Sequence, residues 1–334
     1  MSNPVLVEVL RGGLVESRHH GAVAVVDADG ATVLALGDVA QPVYPRSAVK
    51  MIQALPLVES GAADKFGFGN RELALACASH GGEPAHVEVA RGMLARAGLE
   101  GSALECGVQW PSHTESSRAL ARSGATASAL HNNCSGKHAG FICFACTAGI
   151  DHRGYVGAAH PVQREVRGAL ENLTGISLAP DHYGIDGCSI PTFAIPLQAL
   201  AHGFARFGTG RALGPERQKA AARLRAACAA EPYFVAGTGR FCTEVMKLFG
   251  ARVLVKTGAE GVFCGALPEQ GLGIAIKCLD GGTRAAEAAM ARMIEKLLPL
   301  GEAERAALGR FVSPTLRNWN GIEVGGLRPA AALG

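Results

Sequence analysis

Short apolar, β-branched runs stand at both ends of this chain and almost nowhere between them. VLVEVL (5–10), AVAVVDA (22–28) and TVLALG (32–37) open it; RVLVKTG (252–258), GVFCGAL (261–267) and LGIAIKC (272–278) close it, with IEVGGL (322–327) as a last candidate. Such runs, bounded by glycine-rich turns, read as strands, and Asp29-Gly30 reads as a hairpin turn. The intervening sequence carries helical periodicity over 71–77, 84–97, 115–122, 136–148, 161–172, 192–206, 215–229 and 240–249, and TRAAEAAMARMIEKLL (283–298) adds a helix after the late strands. Strands at both ends with helices between predict one sheet assembled from both termini. Helices flank it and an all-helical insertion interrupts it, an α+β layout rather than a βαβ winding. The expected organisation is a single composite domain, 1–334. Strands in 1–45 and 250–334 form its α/β part and 46–249 its largely helical part.

At 334 residues and 48% hydrophobic content the chain can bury a large core, and a folded rather than a disordered chain is expected. No apolar run reaches membrane-spanning length, and MSNPVLVEVLRGG lacks the basic-then-apolar order of an export signal. A soluble, cytoplasmic protein without a membrane partner is expected. The net charge of +3 is small, and the lysines and arginines are scattered without aromatic interleaving, which argues against a nucleic-acid partner. Ten cysteines in this context read as free thiols, and Cys143-Phe-Ala-Cys146 as core packing rather than a redox pair.

YPRSAVKMIQALP (44–56) opens the helical middle, with Pro45 and Ser47 where a proline and an N-cap belong. Lys50 is out of place there, because the partial positive charge of a helix start disfavours a cation. Two readings are open: a cap followed by a surface lysine, or a serine nucleophile with its base one turn away. A lysine titrates near 10.4, so service as a base at neutral pH needs a lowering of about three units through burial or a nearby cation. With 15 serines and 8 lysines, S-x-x-K alone is a weak pattern. Lys256-Thr257-Gly258, at the end of a late strand, strengthens it. S-x-x-K followed by K-T-G is the serine β-lactamase and penicillin-binding arrangement, although its S-D-N element is absent.

Three further segments carry reactive side chains. ALACASHGG places Ser79 and His80 before two glycines, where backbone can approach a ligand, or where Gly81 simply caps a helix. HNNCSGKHAGF (131–141) offers Asn132, Asn133 and Ser135 as caps and sets Cys134, Lys137 and His138 around a first helical turn. DGCSIPTF adds Asp186 and Cys188 before another expected helix; neither segment alone has zinc-finger spacing.

Taken in order, PRSAVK, CASHGG, NNCSGKHAGF, DGCSIPTF and VKTGAEG resemble the rhizobial-type L-asparaginase family over nearly the whole chain. The resemblance implies a serine β-lactamase- and glutaminase-like fold with an antiparallel sheet, a homodimer, and hydrolysis of asparagine to aspartate and ammonia. It implies Ser47 as nucleophile with Lys50 as base, and Ser79 with Lys256 as a second Ser-Lys couple. It further implies a zinc ion held by Cys134, Lys137 and Cys188, with Cys242 near the site. A lysine ligand must be neutral, so such a site is pH-dependent.

The expected mechanism has Lys50 take the Ser47 proton as the hydroxyl attacks the side-chain amide carbon. Backbone N–H groups near Ser47 stabilise the oxyanion, Ser79 with Lys256 delivers a proton to ammonia, and water cleaves the acyl-enzyme. Arg46 is the candidate for the substrate α-carboxylate and Asp186 or Glu260 for its α-ammonium; His80 and Asn133 complete the expected substrate-binding set. The rivals are a related serine amidase acting on glutamine or a β-lactam-like amide, a hydrolase that uses zinc-bound water, and a non-catalytic amino-acid sensor.

Overall fold

The computed structural model describes residues 2–334. Its backbone divides into two compact units. One comprises the chain up to Ala48, Ile195–Arg211 and Val255–Gly334; the other comprises Val49–Ala194 and Ala212–Leu254.

The first unit is built on an eight-stranded sheet. Its strands are β1 (Val5–Arg11), β2 (Leu14–Asp27), β3 (Thr32–Leu36), β8 (Leu254–Thr257), β9 (Val262–Leu267), β10 (Leu272–Cys278), β11 (Thr315–Arg317) and β12 (Glu323–Pro329). The order is β11-β12-β1-β2-β10-β9-β8, with β3 also on β2. The pairings β1–β12, β1–β2, β2–β3, β2–β10, β9–β10 and β11–β12 are antiparallel. Strands from the two termini are therefore neighbours, as the sequence predicts.

β2 is twice the expected length. Its polar first half, ESRHH, reads as loop but pairs with β1, while its apolar second half pairs with β10. The change of partner falls at Gly21, where a Cβ would lie 2.1 Å from the Lys277 carbonyl oxygen.

Two two-residue strands, β4 (Pro42–Val43) and β7 (Ile195–Pro196), pair beside the sheet, and β7 runs into helix α9 (Leu197–Thr209). The expected helix 192–206 therefore starts five residues late, after Pro196, whose fixed φ suits it to the entry of a helix. α13 (Thr283–Leu297) and α14 (Glu302–Val312) complete the unit. β9 is buried along its whole length, which demands cover on both faces, and α9 and α13 both pack on it.

α9 is seated by small residues. A Cβ on Gly273 would lie 1.9 Å from the Ala201 carbonyl oxygen and 2.4 Å from the Ala205 nitrogen. Gly273→Ala thus has no flexible side chain to push aside and must lift the helix. It is expected to cost about 2–3 kcal/mol, read as a lower urea midpoint at unchanged slope. A midpoint equal to wild type would refute this account of how the helix is seated.

The second unit is helical: α1 (Lys50–Gln53), α2 (Leu55–Glu59), α3 (Ala62–Lys65), α4 (Asn70–Ala76), α5 (Pro84–Arg96), α6 (Thr114–Arg122), α7 (Ser135–Ala148), α8 (Pro161–Thr174), α10 (Pro215–Ala230), α11 (Pro232–Ala236) and α12 (Phe241–Phe249). Its centre is α7, apolar on every side through GFICFA and buried from Ser135 to Ala145, with α2, α3, α4 and α5 against it. The run after Ser47 is not one helix, because Pro56 has no N–H to donate to Ile52 and the chain restarts as α2. Asp186 and Cys188 precede no helix. They sit in the turn between β5 (Gly184–Ile185) and β6 (Pro191–Thr192).

All ten cysteines are free thiols, Cys146 half-buried and the rest buried. Among the described residues, no helix is long and apolar enough to cross a membrane.

Candidate active site

In the sheet-bearing unit, Ser47 lies within a 3₁₀ turn, Arg46–Val49, that leads into α1. It is not the N-cap: that position is Val49, which makes no side-chain cap bond. The hydroxyl is thus released from the structural role the sequence offered it. Arg46 takes φ +51°, a left-handed conformation uncommon for a residue with a Cβ, and such positions gather at functional sites.

The end of β8 meets this turn closely. A Cβ on Gly258 would lie 2.7 Å from the Pro45 carbonyl oxygen and 3.3 Å from Ala48 Cβ, so only glycine lets Lys256-Thr257-Gly258 seat against Pro45. Lys256 is buried and donates to the Thr257 carbonyl at 2.8 Å. Glu260 occupies the next turn at φ +56°, and its carbonyl accepts from Lys277. The Ala48 N–H is bonded to the Pro45 carbonyl, which removes it from the N–H groups near Ser47 that were expected to face an oxyanion.

In the helical unit, Lys50 is 1% exposed although it opens a helix. Its Nζ donates to the Ala78 carbonyl at 2.5 Å and to Ser79 Oγ at 3.0 Å, and stands 3.1 Å from Cys134 Sγ. The reading as a surface lysine is therefore wrong. The sequence gives Ser79 to Lys256; in the helical unit the Ser79 hydroxyl accepts from Lys50.

α4 ends at Ala76, so Ser79 is not in a helical last turn and Gly81 is not the cap. Ser79 lies in an extended segment held from two sides: its N–H donates to the Val235 carbonyl at 3.0 Å, and the N–H of His80 donates to the Asn133 carbonyl at 3.2 Å. Both ring nitrogens of His80, expected to bind substrate, are engaged within the protein. Nδ1 accepts from the Gly82 N–H at 3.1 Å, which leaves Nε2 to donate to Ser135 Oγ at 2.9 Å. Burial, with His86 and Lys50 nearby, pushes the imidazole well below its ordinary range and keeps it neutral.

The segment before α7 uses its polar residues differently from a simple cap. Asn132 Oδ1 accepts from the Cys134 N–H at 2.9 Å, and Cys134 itself is the N-cap. The Asn133 amide oxygen stands 3.0 Å from Cys134 Sγ.

Cys134 and Cys188 are hydrogen-bonded. That bond, reinforced by the charges of Lys50 and Lys137 against the effect of burial, holds the Cys134 thiol well below its ordinary range. Cys188 is pushed up by the same bond and by burial. Burial alone would lower the Lys137 amine, but the sulfurs of Cys188 and Cys134 and the Asp186 carboxylate raise it, and its Nζ lies 3.2 Å from Cys188 Sγ. Asp186 Oδ1 accepts from the Cys188 N–H at 3.3 Å.

Among the described residues, no three His, Cys, Asp or Glu side chains gather as a metal site. What gathers is two sulfurs and an amine. Once Cys134, Cys188 and Lys137 lose their protons, such a donor set suits zinc.

The sequence reading missed Glu83, His86, Tyr233 and Thr238, which surround the Ser79 segment. Glu83 precedes Pro84 at the start of α5 and reads as an ordinary acid at a helix N-terminus. No local signal sends its carboxylate to a turn 155 residues away.

An α+β protein with lysines buried beside serines and thiols is the class these features define. Residues 7–329 match the L-asparaginase II family, and the chain belongs to that family. No curated protein matches it in sequence.

Similar solved structures are distant. Mglu in its glutamate form has 14% identity and a TM-score of 0.46, covering 84% of this chain and 62% of that one. A β-lactamase from Mycobacterium bovis has 15% identity and a TM-score of 0.40, covering 83% and 95%. A putative β-lactamase from Bacteroides dorei DSM 17855 has 14% identity and a TM-score of 0.40, covering 81% and 92%. The chain thus spans less than two thirds of the length of the Mglu chain in its glutamate form, and none of the three is similar enough to lend it a chemistry.

Proposed function

We propose that the chain hydrolyses the side-chain amide of L-asparagine to L-aspartate and ammonia through a covalent acyl-enzyme on Ser47. The observation that carries this reading is the buried Lys50 amine, bonded to Ser79 Oγ at 3.0 Å and opening α1 directly after the 3₁₀ turn that holds Ser47. Lys50 takes the Ser47 proton as Oγ bonds to the amide carbon, and the C–N bond then breaks as Ser79 with Lys256 passes a proton to the departing nitrogen. Lys50 passes its proton on to the Ser79–Lys256 couple, takes one from water as the water oxygen adds to the resulting ester, and gives it to Ser47 Oγ as the acyl C–O bond breaks and aspartate leaves. Arg46 binds the α-carboxylate, and Asp186 or Glu260 the α-ammonium.

Cys134, Lys137 and Cys188 would hold a zinc ion, which when bound supplies a fixed positive charge that orders the loops carrying them. A cytoplasmic homodimer belongs to the same reading.

Ammonia release from asparagine, glutamine and a chromogenic lactam tests the substrate. Turnover of asparagine above both others is expected. Turnover of either of the others without asparagine would overturn the choice, and tight asparagine binding without ammonia would favour a sensor.

A further inference from the structure

The segment that carries Ser79 is held to residues 233–238 at several points along its length. The Ser79 N–H donates to the Val235 carbonyl at 3.0 Å. Glu83, four residues on and buried, receives both donors of Thr238: the N–H on Oε1 at 2.9 Å and the hydroxyl on Oε2 at 2.6 Å. His86 is fully buried; its Nε2–H donates to the Tyr233 carbonyl at 3.1 Å, and its ring is stacked between His80 and Tyr233. Burial pushes the Tyr233 phenol up to about 12, with the Glu83 charge and a hydrogen bond to Glu83 adding to it. Burial would raise the Glu83 carboxyl as well, but the two Thr238 donors hold it below the usual carboxylate range, so it is ionised.

The fit leaves no room. Gly237 takes φ +110°, and a Cβ there would lie 2.6 Å from Glu83 Oε1 and 3.4 Å from the Gly81 nitrogen. Behind the turn, the Thr243 hydroxyl donates to the Gly237 carbonyl at 2.7 Å. Tyr233 and Thr238 thus fix the two sides of Val235, whose carbonyl is the acceptor for Ser79.

We propose that Glu83, acting through Thr238, is a positioning residue that sets the Ser79 hydroxyl for proton delivery to the departing ammonia. This rests on the reading of Ser79 given above. A buried ionised carboxylate is costly, and one with both oxygens spent on a single distant turn is well placed to fix geometry. Misplacing a catalytic group by about 1 Å costs on the order of 100-fold in rate. A purely structural role for Glu83 would slow every substrate alike. A positioning role through Ser79 would slow only those whose leaving group needs a proton.

The test compares asparagine with the β-nitrophenyl ester of aspartate, whose nitrophenolate departs unprotonated, in wild type, Glu83→Gln, Thr238→Val, Thr238→Ser and Ser79→Ala. On asparagine, Glu83→Gln and Thr238→Val are expected to lower kcat by about 10- to 100-fold with KM little changed, and Thr238→Ser to retain it. On the ester, all three are expected to stay within about threefold of wild type. Equal losses on both substrates, or full asparagine turnover by both Glu83→Gln and Thr238→Val, would overturn the proposal. Thr238→Val keeps the backbone bond to Glu83 and carries the test if Glu83→Gln does not fold. A wild type that releases no ammonia, or a Ser79→Ala that cleaves amide and ester alike, would sink the functional reading and this inference with it. An active wild type with an amide-selective Ser79→Ala but unselective Glu83 and Thr238 variants would sink this inference alone.

Discussion

Ser47→Ala is expected to lower ammonia release from asparagine by about 10⁴- to 10⁶-fold and to leave the fold nearly as stable as before. The two halves of that expectation have separate grounds. Loss of the nucleophile removes the only oxygen assigned to form the acyl bond. Loss of an N-cap serine would cost about 1 kcal/mol, but α1 takes Val49 as its N-cap and no side-chain cap bond is there to lose. The turn also survives, because the Ala48 N–H to Pro45 bond is between backbone groups. Ammonia assays, thermal melts and intact mass in quenched asparagine turnover read the three quantities. The aspartyl adduct seen on wild type is absent from the variant. If a metal-bound water were the attacking group, Ser47→Ala would keep most of its turnover while chelation abolished it. Near-normal activity in the variant therefore ends the nucleophile assignment whatever the metal content.

The sheet was largely legible because its buried strands carry a local signal. GVFCGAL and LGIAIKC are β-rich runs cut off by glycines, and both become strands within a residue of the expected limits. What was lost had no such signal. ESRHH in β2 is polar and, except for the buried His19, exposed, and only its pairing with β1 makes it a strand. The α14 segment, EAERAALGRFV, is helical by propensity but buries only Leu308 and Val312, and so gives no apolar stripe to find. In the site, rare residue types announced the segments but not their partners. Ser47 and Lys50 stand out as a pair because helical spacing is local. The bond from Lys50 to Ser79, 29 residues on, exists only because the chain leaves α4 and crosses the Lys50 amine at Ala78. Glu83 shows the limit most sharply: its role depends on where Thr238 returns, which no pattern near Glu83 encodes.

Lys50→Met isolates the base. Methionine follows the path of the lysine stem with an apolar end, so core volume is nearly kept. The Ala78 carbonyl and Cys134 Sγ lose their donor, a cost of about 1–3 kcal/mol. Removing a buried polar amine returns part of that through desolvation no longer incurred. A melting temperature within a few degrees of wild type is the expected balance. Turnover should nevertheless fall by about 10²- to 10⁴-fold, the range over which a positioned base acts, with KM changed far less than kcat. Lys50→Arg separates charge from basicity. Its guanidinium keeps a cation and hydrogen-bond donors toward Ala78, Ser79 and Cys134, but it does not give up its proton. If Lys50 serves only as a buried positive charge that holds Ser79 and the Cys134 sulfur in place, arginine should restore most of the rate lost in methionine. If Lys50 accepts the Ser47 proton, arginine should be as inactive as methionine. An arginine variant within about tenfold of wild type would remove Lys50 from the chemistry and leave it the task of organising the Ser79 segment.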